Sequence, residues 1–87
     1  MNIVFTKNGW NDYQYWLNED KKNLKRLNKL IQDNTRNKNT GIGKPKALTN
    51  DLQGLWSRRI NERDRLIYKI ESNELDILSC RYYYGDH

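Results

Sequence analysis

Apolar residues at the start of the chain follow first the spacing of a strand and then that of a helix. Residues 2–5, NIVF, form a short and mostly apolar run that is typical of an edge or buried strand. Trp10, Tyr13 and Leu17 then recur at helical spacing, with Trp16 beside Leu17 on the same face. Thr6 stands just before this segment, where its hydroxyl can cap a helix. The pattern predicts a strand followed by an amphipathic helix.

A second amphipathic pattern begins after Asp20, another candidate helix cap. Leu24, Leu27 and Ile31 repeat at positions i, i+3 and i+7, while lysines and arginines occupy the opposite face. Because the two helical patterns are nearly contiguous, they predict two helices joined by a tight turn.

The helical pattern dissolves in a segment from 34 to 54 that is rich in Asn, Thr and Gly and contains the only proline. A connection of this length in a compact domain is typical of a functional loop. Three segments with strand character follow, at 55–60, 65–70 and 75–84, and polar breaks of hairpin length separate them.

The predicted element order is therefore β-α-α-β-β-β. It indicates a single α+β domain spanning 1–87, with two N-terminal helices packed on one face of a mostly antiparallel four-stranded sheet. We expect the core to contain Leu24, Leu27, Ile31, Leu66, Tyr68 and Ile70.

The composition is basic, with 16 Lys and Arg against 11 Asp and Glu and a formal charge of +5. This balance favours a polyanionic partner, usually nucleic acid, although positive charge also serves solubility. Cys80 is the only cysteine, so no intramolecular disulfide can form, and its apolar surroundings favour a buried structural thiol over a nucleophile.

Cofactor, metal and membrane functions find little support in the sequence. His87 is the only histidine and no cysteines are paired, so we expect neither a structural zinc site nor another cofactor. No apolar stretch approaches the length of a membrane span, and the start, MNIVFTKNGW, lacks a signal-peptide pattern. We therefore expect a cytoplasmic protein without a membrane partner.

Motifs spaced along nearly the whole chain carry a resemblance to a known family. They are WNDYQYW at 10–16, GKP at 43–45, WSRRI at 56–60, RLIY at 65–68 and CRYYY at 80–84. Together they resemble the YoeB branch of the RelE/ParE superfamily of toxins. The resemblance implies a metal-independent endoribonuclease of a type II toxin–antitoxin pair, which enters the ribosomal A site and cuts messenger RNA there. It also implies a YefM-like antitoxin as partner and a homodimeric state.

The resemblance further implies a set of site residues. Metal-free RNA cleavage uses the ribose 2′-OH as nucleophile, so a base, an acid and phosphate-holding cations are required. Arg65 matches the family's phosphate-stabilising arginine, and Tyr84 matches the tyrosine that orients the scissile nucleotide. Because side chains alternate along a strand, we expect Arg58 and Arg59 to point to opposite faces and to do different jobs. We assign catalysis to Lys46, Arg65, Tyr83 and Tyr84, and RNA binding to Lys44, Arg58, Arg59, Arg63 and Arg81.

Two of these catalytic positions depart from the family pattern. Lys46 stands where the family has a glutamate, its proposed general base, and Tyr83 stands where it has a histidine, its proposed general acid. Thr49 and Asp64 replace a lysine and a histidine of the family. Lysine is ordinarily protonated at neutral pH and is then a poor base, but it can clamp a phosphate.

Three interpretations of these departures stay open. The chain is an attenuated YoeB-type ribonuclease, or it uses the lysine- and arginine-rich chemistry of the RelE branch, or it is catalytically inactive and binds antitoxin and RNA or ribosome. A gyrase poison on the same fold is a further class, against which Arg65 and Tyr84 argue because they resemble ribonuclease residues.

Overall fold

The computed structural model describes residues 1–83, which form two helices and five strands with one short turn of 3₁₀ helix at Asn50–Leu52. The strands lie side by side in the order β1-β5-β4-β3-β2. The elements are β1 (Asn2–Phe5), α1 (Lys7–Glu19), α2 (Lys21–Asn37), β2 (Lys46–Ala47), β3 (Trp56–Arg59), β4 (Arg65–Glu71) and β5 (Glu74–Ser79).

The predicted fold class is confirmed, with one strand more than expected. β1 pairs with β5 in parallel, and the other neighbours pair antiparallel. The additional strand, β2, lies inside the segment that the sequence predicts to be a loop. It consists of two residues, which register with Ser57 and Trp56 of β3. A strand this short leaves no period-2 pattern, so it is defined only by its pairing partner.

Both predicted helix caps are present. Thr6 Oγ1 accepts the Gly9 N–H at 3.0 Å, and Asp20 Oδ1 accepts the Asn23 N–H at 3.1 Å. The backbone and side-chain hydrogen bonds from Asn23 hold the pKa of the Asp20 carboxyl below its ordinary value. Asp20 also ends α1, because its N–H completes the last helical bond, to the Trp16 carbonyl, while its φ of −154° and ψ of 89° leave the helical region. One residue therefore makes the tight joint between the helices.

The face of α1 that meets the sheet matches the predicted one only in part, because Trp16 is buried and Tyr13 packs against the core while two of the predicted residues are exposed. Trp10 is 50% exposed and Leu17 is 43% exposed, whereas Gly9, Asp12 and Trp16 are buried. Gly9 allows this contact, since a Cβ at that position would collide with the carbonyl of Ile77 on β5. The close approach of the backbones rotates α1 so that its more apolar stripe lies at the edge of the core.

The core lies between α2 and the sheet. Leu27, Ile31, Leu66 and Tyr68 are buried as predicted, while Leu24 and Ile70 are half-buried at its margin. β5 ends at Ser79, so the predicted last strand is too long.

Cys80, the residue after β5, lies in the same core. It is fully buried, and its carbonyl accepts the Trp16 indole N–H at 2.7 Å. Burial raises the pKa of its thiol well above the ordinary value, which agrees with a structural role. Over residues 1–83, neither helix is long and apolar enough to cross a membrane.

Truncation of Leu27 tests this core. Leu27→Ala removes a fully buried side chain, so we expect the free energy of unfolding to fall by about 2–5 kcal/mol. Leu17→Ala on α1 is the matched control, because it deletes the same atoms from an exposed position and should change stability by about 0.5 kcal/mol or less. Urea titration of both variants measures the difference, and equal losses would contradict the packing described.

Candidate active-site cleft

The sheet face opposite the helices collects basic side chains through strand register. Antiparallel partners project to the same face, and successive residues alternate. In β3, Ser57 pairs with Lys46 and Arg59 pairs with Arg65. These four residues therefore share one face, whereas Arg58 points the other way.

A cleft of about 310 Å³ opens on this face. Four of its lining residues are cationic, and none of the ion pairs within residues 1–83 involves any of them. The uncompensated charge favours an anion in the cleft. The lining residues are Lys44, Pro45, Lys46, Ser57, Arg59, Arg65 and Tyr83.

Arg65 is the most constrained of the four cations. It is 7% exposed, and its Nη1 donates to the carbonyls of Asn61 at 2.7 Å and Asp64 at 3.1 Å. Over the described residues, Nη2 and Nε make no hydrogen bond. The guanidinium is thus held by one nitrogen, and its remaining donors are available to phosphate oxygens, for which its planar fork is suited.

The segment after β5 is attached to this arginine. The Tyr82 N–H donates to Asp64 Oδ1 at 2.6 Å, and the Arg65 N–H donates to the Tyr82 carbonyl at 3.0 Å. The next residue, Tyr83, lies with its ring 5.0 Å from the Arg65 guanidinium carbon. Asp64 and Arg65 therefore hold Tyr83 at the cleft.

The proton-transfer groups of the cleft are few. None of the seven lining residues found within 1–83 is a carboxylate or a histidine. Lys46 and Tyr83, which the sequence predicts to be catalytic, are among the lining residues, and Ser57 adds a hydroxyl. Tyr84, also predicted to be catalytic, lies outside the described residues. The arrangement suits an anionic ligand such as a phosphodiester, and an amine, a phenol and a hydroxyl are the groups among the described lining residues that can exchange protons.

The prediction that Arg58 binds RNA is wrong. Arg58 is fully buried, and its guanidinium bonds to Asp33, to Tyr68 and to three backbone carbonyls. Strand alternation places it on the helix side, as expected, and there no donor is left for a ligand. The Arg58 guanidinium holds the pKa of Asp33 below its ordinary value. Because a depressed carboxyl pKa adds stability at higher pH, this pair stabilises the fold at neutral pH and loses its contribution only in the acid range.

Arg63 and Arg81 lie outside the cleft lining. Arg63 is exposed, with its guanidinium carbon 5.8 Å from the Tyr82 ring and its Nε 3.8 Å from Asp64. Arg81 stacks on Tyr15, with its guanidinium carbon 3.4 Å from the ring centroid. The structure thus brings together Lys44, Lys46, Arg59, Arg65 and Tyr83, but not these two arginines. Any RNA contact that they make belongs to another surface.

Sequence reasoning missed Ser57 and Pro45 as lining residues. Alternation along β3 would have placed Ser57 beside Arg59, since the two are separated by one residue. Pro45 lines the cleft because it lies between Lys44 and Lys46. Over residues 1–83, no three His, Cys, Asp or Glu side chains converge in a way that would bind a metal ion.

Comparison with known proteins agrees with this fold. A family model described as "YoeB-like toxin of bacterial type II toxin-antitoxin system" matches residues 5–84. The class of protein is therefore a toxin of a bacterial type II toxin–antitoxin system. Toxin YoeB of Streptomyces coelicolor is 48% identical over 84 residues, which cover 97% of this chain and 100% of that protein.

Two solved structures from Staphylococcus aureus are similar to this chain in fold as well as in sequence. One is a YoeB-YefM complex with 41% identity and the other a YoeB dimer with 42% identity. Each has a TM-score of 0.90 and covers 97% of this chain and 98% of the other. The chain belongs to the YoeB toxin family.

Asp64→Asn tests how the end of the chain is held. In the wild type, the Tyr82 N–H donates to one oxygen of the Asp64 carboxylate and the Asn61 side-chain amide donates to the other at 2.9 Å. The substitution removes the negative charge from the first acceptor and places an NH₂ group next to the NH₂ group of Asn61. We expect the free energy of unfolding to fall by about 1.5–3 kcal/mol, with faster hydrogen exchange at Tyr82. Glu62→Gln changes the same charge at an exposed position of the same turn. Equal exchange at Tyr82 in the two variants would contradict the assignment.

Proposed function

We propose that this chain is a toxin with endoribonuclease activity, which cleaves messenger RNA in the ribosomal A site through the ribose 2′-OH and without a metal ion. The observation that carries the proposal is the convergence of Lys44, Lys46, Arg59 and Arg65 with Tyr83 in one cleft of a YoeB-family fold. A phosphodiester is the ligand whose charge and shape suit this group of cations.

The arrangement assigns a role to each side chain. Arg65 offers its remaining donors, and Arg59 lies beside it, so the two hold the non-bridging oxygens of the scissile phosphate. The 2′ oxygen attacks phosphorus and loses its proton, a cyclic phosphate forms, and the departing 5′ oxygen takes up a proton. Lys46 and Tyr83 occupy the positions for these two transfers. Charge redistributes onto the phosphate in the transition state, where fixed cations stabilise it most.

Lys46 acts in one of two ways. As a neutral amine it accepts the 2′-OH proton, and as an ammonium it adds a further cation beside the phosphate. Tyr83 carries a proton within the same cleft, but a phenol exchanges it less readily near neutral pH than an imidazole does. The rate of cleavage is therefore expected to be lower than with a glutamate and a histidine at these positions.

The partners follow from charge and from the solved relatives. An antitoxin of the YefM kind, with an acidic segment that folds across the cleft, would neutralise the cations and exclude RNA. A homodimer is the proposed state without antitoxin. The Staphylococcus aureus structures, a YoeB-YefM complex and a YoeB dimer, support both proposals. The cytoplasm, where ribosomes and messenger RNA are found, is the proposed location.

A catalytically inactive toxin is the alternative, and one observation favours it. The described cleft has no carboxylate or imidazole, so neither of the family's proposed acid–base groups is present. Such a protein would still bind RNA and antitoxin through its cations. It differs from the leading proposal in one respect, since it would occupy the A site without cutting.

Cleavage on programmed ribosomes tests the proposal directly. We expect primer extension to map a cut in the A-site codon, and growth to arrest on induction without antitoxin. A sulfur atom in place of a non-bridging oxygen of the scissile phosphate should slow the reaction, and Mn²⁺ or Cd²⁺ should not restore it, because no metal contacts the phosphate. Rescue by Cd²⁺ would refute the metal-independent mechanism. Ribosome binding without any cut would favour the inactive alternative.

Reversion of the two altered positions separates the mechanisms. If the chain is an attenuated YoeB-type enzyme, Lys46→Glu and Tyr83→His should each raise the single-turnover rate by about 10²–10⁴-fold, with a non-additive double mutant. The histidine should also introduce a dependence on pH near its ordinary pKa of about 6.5. If Lys46 acts as in the RelE branch, Lys46→Glu should instead slow cleavage, because it adds a negative charge beside the phosphate.

Lys22→Glu on α2 is the control for the change of charge, because Lys22 is exposed and lies outside the cleft lining. It should leave the single-turnover rate within about twofold of wild type, since exposed charges more than about 8–10 Å apart are largely screened at physiological salt. Unchanged rates in all reversions would remove Lys46 and Tyr83 from the mechanism.

A further inference from the structure

Arg58 satisfies every donor of its side chain inside the protein. An arginine has five N–H donors. Nη1 donates to Asp33 Oδ2 at 2.5 Å and to the Ile42 carbonyl at 2.9 Å, and Nη2 donates to the carbonyls of Lys38 at 2.6 Å and Thr40 at 2.7 Å. Nε donates to the Tyr68 hydroxyl at 3.3 Å. The side chain is fully buried.

Three of these acceptors belong to one segment without regular structure. The carbonyls of Lys38, Thr40 and Ile42 alternate along residues 38–43, here called the anchor loop, so the backbone curves around the guanidinium. Asp33 adds a second tie, since its Oδ2 also accepts the Ile42 N–H at 3.1 Å. Gly41 permits this closeness, because its φ is +109° and a Cβ there would collide with Asp33 Oδ2.

The anchor loop leads directly into the cleft. Its last residue, Gly43, accepts the Arg59 N–H at 2.7 Å through its carbonyl and packs closely on Leu30. Lys44 and Lys46 follow immediately and line the cleft. The adjacent arginines of β3 therefore act on opposite sides of the sheet. Arg59 presents its cation to the cleft, and Arg58 fixes the loop that leads into the two lysines.

Arg58 directs three of its five side-chain hydrogen bonds to the anchor loop, so weakening them should loosen this loop more than the rest of the domain. A lysine has three donors on a flexible stem and cannot reproduce this fork. A displacement of about 1 Å at a reacting group can reduce a rate by about 10²-fold.

We propose that Arg58 is a positioning residue, whose buried guanidinium, paired with Asp33, holds the anchor loop so that Lys44 and Lys46 face Arg59 and Arg65 across the cleft. This inference rests on the proposed RNA cleavage only for its effect on rate. Its effect on the loop and on anion binding follows from the contacts alone.

Arg58→Lys is the primary test, and Arg36→Lys is its matched control at an exposed position of α2. Asp33→Asn is the second variant if Arg58→Lys does not fold. The measurements are amide hydrogen exchange across the chain and the single-turnover cleavage rate on programmed ribosomes. A third measurement is the Kd, at several salt concentrations, for an RNA oligonucleotide with a 2′-deoxy nucleotide at the scissile position.

We expect at least 10-fold faster exchange at Ile42 with little change in β4 and β5. The RNA Kd should rise at least 5-fold, and the salt slope should fall by about 0.7 for each phosphate that the protein no longer neutralises. The cleavage rate of the folded fraction should fall about 10–100-fold. A smaller folded fraction raises the apparent Kd in proportion but leaves the salt slope unchanged, so the salt slope, together with the pattern of hydrogen exchange, separates positioning from stability.

Two results would overturn the inference. One is exchange that rises uniformly over the chain, or not at all, in Arg58→Lys. The other is a loosened anchor loop with unchanged RNA affinity and salt slope. If wild-type protein binds the oligonucleotide but does not cut on ribosomes, the proposed function fails, while the exchange and affinity comparisons still test Arg58.

Discussion

A charged group enclosed by protein must have its hydrogen-bonding capacity satisfied, and Arg58 imposes that constraint on this small domain. Its ion pair with Asp33 joins α2 to β3, and its remaining donors gather the backbone of the loop between them. Burial raises the pKa of Tyr68, so its hydroxyl stays neutral and can accept from Arg58 Nε. Helix, sheet and loop are thereby held in one arrangement, from which the position of the cleft follows.

The opposite face of β3 carries positive charges that are close together and are not neutralised by carboxylates within residues 1–83. Lys44, Lys46, Arg59 and Arg65 share one cleft without a carboxylate among its described lining residues. The four positive charges repel one another, and a bound polyanion relieves this repulsion. The same electrostatics suit an RNA backbone and an acidic antitoxin segment, which would therefore compete for the cleft. A toxin that is inhibited by its partner needs this overlap.

The departures from the family pattern affect the cleft unequally. Asp64 has a role that the structure makes plain, because it accepts the Tyr82 N–H and an Asn61 amide N–H beside Arg65. Lys46 and Tyr83 leave the cationic character of the cleft intact, and in the proposed reaction they change only the groups that would move protons. Binding and proton transfer are separable contributions to catalysis. The cleft therefore keeps the cations that suit a phosphate, and the proposed acid–base groups are an amine and a phenol.

The sequence by itself determined the order of the two helices and the four longer strands, the helix caps at Thr6 and Asp20 and part of the core, because these depend on local periodicity and short-range hydrogen bonds. It also separated Arg58 from Arg59, since alternation along a strand is a local rule. The rest required tertiary structure. Gly9 sets the buried face of α1 through a contact with Ile77, far along the chain on β5. β2 exists only through its pairing with β3, and the acceptors that surround Arg58 lie 10 to 25 residues away in sequence. Contacts between distant segments leave no periodic signal, so only the folded chain could decide which arginine faces the cleft and which one holds it in place.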